Sequence, residues 1–510
     1  MAGGLRQAAV RGAAWVMLER FSVQIVQFAV MLVLARLLTP ADYGIVGLLA
    51  IFLAIAGSLA NCGFGNALVQ KKEVGELEFN SVFYLSLAAA GAMYLALFLA
   101  APWIADFYGV PELRPITRIA AIQIVFSAVN SVQSASLSRR LLFHLRFRVT
   151  LVSNVVSASV GILLAALGFG VWALVWSSFA GGLVGVFVCW TVVAWRPRLM
   201  FSFRAVRPLF SFGWRMAVSG LVHNVYTNLY GFLVGKVYTP ADLAFVSKGR
   251  TIPNMLMQTL DSAVLNVSFP ALSRVQTEPA KVREGMRRMI QASSYLVFPA
   301  LAGLAACARP TTLLLLGDQW LPAVPYVVIA CFTFSLFPVN AINTSAIAAR
   351  GRSDVYLALE IVKKGTGLLV MALTIRHGVL FFMLASAIVM SPFSVLVNMS
   401  VNGRLLGYTA RMQLRDLAPS ALLAGAMFCA VRPAVEGLSR LFDGLPSAAG
   451  NALVLLLAVP IGAAVYAVLS LRFRPRALLE CLELITPLLA VKLPRLARWC
   501  ERTVRGRTPA

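Results

Sequence analysis

The stretch VQIVQFAVMLVLARLLTPADYG, residues 23–44, decides the fold class. Its first part, Val23–Leu38, is almost wholly apolar. Continued back to about residue 13, it is long enough to cross a hydrocarbon core of roughly 30 Å as a helix. Thr39-Pro40-Ala41-Asp42 then reads as the start of a second helix, with a threonine N-cap, a proline at the first helical position and an acid near the positive end of the helix dipole. Comparable apolar runs recur at Gly47–Leu59, Leu85–Ala101, Val152–Leu167, Val171–Ala194 and Leu453–Leu471. Unpaired backbone polar groups are excluded from lipid, so only helices or a closed barrel can span it. Barrel strands alternate over about ten residues, and these runs do not alternate. The sequence therefore predicts an all-α polytopic membrane protein of about fourteen transmembrane helices, the first near 13–36 and the last near 449–471.

Composition agrees. Of the 510 residues, 59% are hydrophobic and 13% charged, about half the charged share of a soluble domain. A net charge of +25 would suggest nucleic acid in a soluble protein, but no nucleic-acid motif accompanies it. Lysine and arginine instead collect in alternate short loops. One side holds Arg6, Arg11, Lys71, Lys72, the arginines of 139–148 and 196–207, the basic residues of 274–288, Arg350, Arg352, Arg404, Arg411, Arg415 and a tail rich in arginine. The other holds only Arg36, Arg114, Lys236, Arg309, Arg376, Arg432 and Arg440. The positive-inside rule makes the first side cytoplasmic and both termini with it, in a bacterial inner membrane. The N-terminal stretch before span one reads as a basic amphipathic segment that is retained, because the apolar run continues past any cleavage site.

Seven cysteines are scattered singly and three histidines lie far apart, so neither a metal site nor a disulfide framework is expected. There is no P-loop, and no nucleophile, base and acid converge in sequence. A protein without cofactor, catalytic residues or enzymatic activity is expected.

The chain repeats itself. Thr39-Pro40-Ala41-Asp42 returns as Thr239-Pro240-Ala241-Asp242, Trp15 and Trp214 open the preceding spans, and Gly168-Phe169-Gly170-Val171 corresponds to Arg376-His377-Gly378-Val379. This predicts two pseudo-symmetric six-helix lobes, residues 1–208 and 209–411, then two extra C-terminal spans over 412–471 and a basic amphipathic tail over 472–510. Duplication of this kind lets transporters rock between two faces around a central site.

A charge inside a span costs about 2.5–3.5 kcal/mol on insertion scales, so it faces a cavity, a partner or a function. Span one carries Arg20, Gln24 and Gln27 on one face, with Glu19 beside them. Span seven carries Arg215, Ser219, His223, Tyr226 and Tyr230, with Asn224 alongside; span eight carries Lys248, then Arg250, Asn254, Gln258 and Asp261 on one face. Span four adds Gln123, Asn130 and Gln133, and span ten adds Asn340, Asn343 and Thr344. The functional reading is a polar, cationic cavity that binds substrate through Arg20, Gln24, Gln27, Arg215, His223, Asn224, Lys248, Arg250, Asn254 and Gln258, with Glu19 and Asp261 as ion-coupling candidates. The competing reading makes Glu19, Arg20 and Asp261 interhelical salt bridges and the amides helix–helix contacts.

The segment Leu34-Ala35-Arg36-Leu37-Leu38-Thr39-Pro40-Ala41-Asp42-Tyr43-Gly44 resembles the first outside turn of the polysaccharide transporter family, the Wzx-type flippases of O-antigen and exopolysaccharide, and Glu19-Arg20 with Gly63–Gln70 resembles its colanic-acid-exporter branch. The resemblance implies the fold of the multidrug/oligosaccharidyl-lipid/polysaccharide exporter superfamily. It also implies flipping of an undecaprenyl-pyrophosphate-linked oligosaccharide (a unit of exopolysaccharide, capsule or O-antigen) to the periplasmic leaflet by alternating access, coupled to an ion gradient. Expected partners are that lipid-linked oligosaccharide, membrane lipids, and polysaccharide polymerase and export machinery; no nucleic acid is expected. The alternatives are a lipid II flippase or a small-solute or drug antiporter on the same fold, and, from another class, a membrane glycan polymerase or ligase.

Overall fold

The computed structural model describes residues 2–61, 64–71 and 74–478, and the described residues are helical with short turns between. Ten helical segments among them are long and apolar enough to cross a membrane. In chain order the long helices are α1 (Ala2–Leu37), α2 (Pro40–Asn61), α3 (Glu76–Tyr108), α4 (Leu113–Arg139), α5 (Phe143–Ala166), α6 (Val171–Val192), α7 (Phe203–Val237), α8 (Pro240–Arg274), α9 (Pro279–Ala306), α10 (Asp318–Ala349), α11 (Ser353–Thr374), α12 (Val379–Leu406), α13 (Ala410–Leu441) and α14 (Ser447–Phe473). The other four are α1, whose described apolar stretch Ser22–Leu37 is shorter than a full crossing, and α7, α8 and α11. Of these, α1, α7 and α8 are expected spans one, seven and eight, whose charges and amides the sequence singles out together with the amides of spans four and ten, which do meet the criterion. The all-α polytopic class stands, with ten apolar crossings found against about fourteen expected.

Local chemistry explains several boundaries. Thr39 Oγ1 accepts the Asp42 N–H at 3.3 Å while the Asp42 carboxylate accepts the Thr39 N–H at 2.9 Å, so both satisfy backbone donors that a helix start leaves open. Thr239 and Asp242 repeat the arrangement at 3.2 and 3.1 Å. The two Gly-Val turns agree as well, since Gly170 and Gly378 both take positive φ (53° and 101°) immediately before a helix. In α12 the backbone widens into a π turn over Ser386–Met390 just before Pro392. Proline offers no N–H and its ring crowds the carbonyl one turn back, which is a known cause of such widening.

The chain packs as two compact units, Met1–Ala244 and Phe245–Ala510. Unit 1 takes in α7 because that helix packs along α2 and α3; the sequence repeat, whose second copy begins with α7, divides the chain in another sense. Its α1 lies along α5, and α4 and α5 pack on α6. Unit 2 is organised on α9, which is flanked by α10, α13 and, through α13, by α14. One core of unit 2 holds Met286, Ile290, Val339, Ile342, Ala346, Met399 and Leu417, apolar side chains from α9, α10, α12 and α13.

Candidate functional site

In unit 1 a cleft of about 700 Å³ lies between α2 and α7. It is lined by Leu53, Ala54, Gly57, Ser58 and Asn61 on one side and Ala217, Ser219, Gly220, His223 and Asn224 on the other. Both sets follow helical spacing, so each helix turns one small, polar stripe toward the other. Gly57 and Gly220 have open space where a Cβ would stand. Asn224 reaches across and donates to Ser58 Oγ at 2.7 Å. Asn228 donates to the Asn224 carbonyl and Thr227 to that of His223, which holds the stripe in place along α7. Hydroxyls, amides and one imidazole among small residues can hydrogen-bond a hydroxyl-rich ligand in several orientations.

Two to three turns beyond, toward the ends that carry Thr39 and Thr239, α2 closes against α7 and the start of α8. A Cβ on Gly44 would stand 1.9 Å from the Pro240 carbonyl oxygen, and one on Gly235 would stand 2.2 Å from a Leu48 methyl. Phe52, Tyr108 and Phe232 meet edge to face, and Phe107 stacks on Phe232 at 5.5 Å between ring centres. The Lys236 ammonium lies 4.1 Å over the Phe107 ring and donates to the Phe107 carbonyl, a cation–π contact at the exposed rim. The cleft is thus sealed at its capped end by backbone contact and aromatic rings.

The other expected site residues fall as follows. Gln24 is half-buried and Gln27 exposed on α1. Glu19, buried on α1, accepts from Thr150 Oγ1 at 3.1 Å and pairs with Arg146 at 3.5 Å, which ties α1 to α5. On α8, Lys248 and Asn254 are half-buried, and the Arg250 guanidinium sits 5.8 Å from the centre of the Phe334 ring of α10. Gly249 between them lets the backbone approach α10, since a Cβ there would stand 2.7 Å from Tyr326 Cβ. The side chains of Arg20, Arg215, Gln258 and Asp261 lie outside the described residues. His223 and Asn224 therefore share the unit 1 cleft, while Lys248, Arg250 and Asn254 belong to unit 2.

Sequence reasoning missed two groups. Ser58 and Asn61 line the cleft, and their spacing from Ala54 and Gly57 was the available signal. In unit 2, a buried chain of amides runs through four helices. Asn398 donates to Asn340 Oδ1 at 2.7 Å, Asn402 to Asn343 Oδ1 at 2.9 Å, and Asn343 to Gln413 Oε1 at 2.9 Å. It passes through Tyr408 to Asp416, which accepts from Tyr408 Oη at 2.8 Å, from Gln291 at 3.0 Å, and from Arg287 through two bonds of 2.9 Å each. Burial, then the Asp416 carboxylate, hold the Tyr408 phenol well above its usual range, so it stays a donor.

A sequence profile described as "Polysaccharide biosynthesis protein" matches residues 33–325, from the end of α1 through the cleft and both Thr-Pro-Ala-Asp starts into α10. The chain belongs to this family. The chain is 27% identical over 315 residues to the succinoglycan biosynthesis transport protein ExoT of Rhizobium meliloti, covering 62% of this chain and 64% of that one. It is 25% identical over 350 residues to the teichuronic acid biosynthesis protein TuaB of Bacillus subtilis (67% of this chain, 71% of that one). To the lipopolysaccharide biosynthesis protein WzxC of Escherichia coli it is 22% identical over 365 residues (70% and 73%). The chain spans slightly less than two thirds of the succinoglycan protein's length. Its fold is similar to that of the lipid II flippase MurJ in an inward closed conformation, with a TM-score of 0.68 at 12% identity over 90% of this chain and 98% of that one. It is also similar to an inward-facing MATE-family multidrug transporter, with a TM-score of 0.57 at 14% identity (78% and 95%). At such identities the likeness is one of fold, that of a polytopic helical membrane protein.

Proposed function

We propose that this protein is a flippase that moves an undecaprenyl-pyrophosphate-linked oligosaccharide from the cytoplasmic to the periplasmic leaflet of the bacterial inner membrane. The observation that carries the reading is the α2–α7 cleft, polar at mid-depth and sealed at the capped end. Charge sorting puts that end outside, so the arrangement suits a state that loads from the cytoplasm. The names of the relatives support the substrate class, since succinoglycan, teichuronic acid and lipopolysaccharide are all surface polysaccharides. In this reading all fourteen long helices span, residues 1–208 and 209–411 act as lobes, and both termini are cytoplasmic. Arg20, Arg215, Lys248 and Arg250 meet the substrate's anionic groups, with Asp261 left as the ion-coupling candidate because Glu19 is engaged by Arg146 and Thr150. A passage of sugar through the cleft requires the open space beside Gly57 and Gly220. In proteoliposomes, Gly220→Trp is expected to slow transbilayer movement of lipid-linked oligosaccharide at least about tenfold, equivalent to about 1.4 kcal/mol on the barrier. Gly91→Trp, at an equally open but exposed position on α3, is expected to leave it unchanged. Equal rates for Gly220→Trp and wild type would remove the cleft from the path.

A further inference from the structure

Charge sorting leaves seven basic residues on the sparsely basic side, and three of them, Arg309, Arg432 and Arg440, line one pocket of about 630 Å³ in unit 2. Small-molecule sites run from roughly 300 to 1,000 Å³, so the pocket is of binding size. Arg432, Glu436 and Arg440 follow one another at four-residue intervals, so the last turns of α13 present a single charged stripe to it. Arg309 comes from the short helix Ala308–Leu315, and Asp443 from the turn that follows α13. Gly450 lets the start of α14 come against that turn, since a Cβ there would stand 3.1 Å from the Phe442 carbonyl oxygen.

Three guanidiniums against two carboxylates leave the pocket one net positive charge. That balance suits a monoanion, because a phosphate dianion would meet both Glu436 and Asp443. Arg432 is paired with Glu436 at 3.4 Å, while Arg309 and Arg440 are exposed and offer planar forks that match a carboxylate. The other polar groups suit hydroxyls: Asp443 accepts from them, and Ser439 and Ser447 both donate and accept. Asn451 donates to the Ser447 carbonyl at 2.7 Å, which fixes its amide at the start of α14. The buried part of the lining is apolar, with Val435 and Val454 in the core and the Phe442 ring half-buried. A ligand that matches all three features carries one carboxylate per unit, several hydroxyls and an apolar C–H face. That is the chemistry of a sugar acid. An acidic peptide lacks the hydroxyls, and a phosphate carries more negative charge than the pocket balances.

We propose that this pocket binds a uronic-acid residue of a saccharide, its carboxylate at Arg309 and Arg440 and its hydroxyls at Asp443, Ser439 and Asn451. The positive-inside rule puts the pocket on the outer side of the membrane, where it meets sugar that has already crossed. The proposal extends the reading of the protein as a handler of lipid-linked sugar. Its test uses a soluble saccharide and no transport, so either can fail alone.

The purified full chain in detergent would be titrated calorimetrically with trigalacturonate and with maltotriose, its neutral counterpart of equal ring number. Wild type is expected to bind trigalacturonate at least about tenfold more tightly than it binds maltotriose, and at least about tenfold more tightly than Arg309→Ala/Arg440→Ala does. Both arginines are exposed, so their removal strands no buried group. Gly220→Trp, in the cleft of unit 1, is expected to leave this affinity unchanged. No binding by wild type, equal binding by the alanine double variant, equal affinity for maltotriose, or loss of binding in Gly220→Trp would each overturn the site. Inorganic phosphate or a polyglutamate peptide that displaces trigalacturonate at equal concentration would overturn its assignment to a sugar acid.

Discussion

Asp416→Ala is expected to destabilise the protein by about 3 kcal/mol, the lower end of the range for breaking a buried ion pair. Asp416 accepts from Arg287 in a fork, from Gln291 and from Tyr408, and only 10% of its side chain is exposed. Removing it strands three donors at the junction of α9, the Tyr408 turn and α13. Arg287 is one third exposed, so water relieves part of the cost and the high end of the range does not apply. The pair and its neighbours form a unit, so Arg287→Ala/Asp416→Ala should cost clearly less than the sum of the two single changes. Thermal unfolding in detergent, followed by the reaction of the buried Cys307 and Cys331, reads the effect directly. Additive losses, or a loss below about 1 kcal/mol, would mean that the amide chain does not clamp these helix ends.

Gly44→Val is expected to part the capped end of the cleft. The added Cβ would lie 1.9 Å from the Pro240 carbonyl oxygen, where something must shift because the neighbour is backbone. The helices must separate by roughly an ångström, and a close-packed contact responds to that by changing state rather than by stretching. The population should move toward a form open at the Thr39 and Thr239 ends. Leu243, 5% exposed and packed against this contact, reports it. A Leu243→Cys chain should react with a membrane-impermeant maleimide at least about tenfold faster when Gly44→Val is present, a shift of about 1.4 kcal/mol. Equal labelling with Gly44 intact would show that the contact does not hold the end shut.

How far these features could be read from sequence depended on how local they are. Thr39 and Asp42 lie three residues apart, so their capping box is written in four letters, and the copy at Thr239 and Asp242 gave the duplication. The polar helices were legible for a related reason. A charge or amide in an apolar run stands out, and the polar stripes of α1, α7 and α8 were picked out on that signal alone. What a charge does was not legible. Glu19 could equally have faced a cavity, and its pairing with Arg146 depends on α1 lying along α5. The amide chain of unit 2 was half seen, because Asn340, Asn343 and Thr344 stand out in span ten. Their partners Asn398 and Asn402 are more than fifty positions away, and Asp416 sits among the basic residues of a loop end, where an acid draws no notice. Charge sorting likewise set Arg309, Arg432 and Arg440 on one side of the membrane but said nothing of their sharing a pocket. The cleft depends on small residues, and an alanine or glycine in a span is ordinary until a facing helix leaves it open.

The most direct test of the central claim follows a fluorescent undecaprenyl-pyrophosphate-linked oligosaccharide in proteoliposomes that contain the purified protein, with an impermeant quencher reporting the leaflet. The expected result is movement well above that of protein-free liposomes, accelerated by an imposed proton or sodium gradient and slowed at least about tenfold in liposomes loaded with Gly220→Trp. Movement no faster than in protein-free liposomes under either gradient would contradict the account and leave the cleft to a smaller solute.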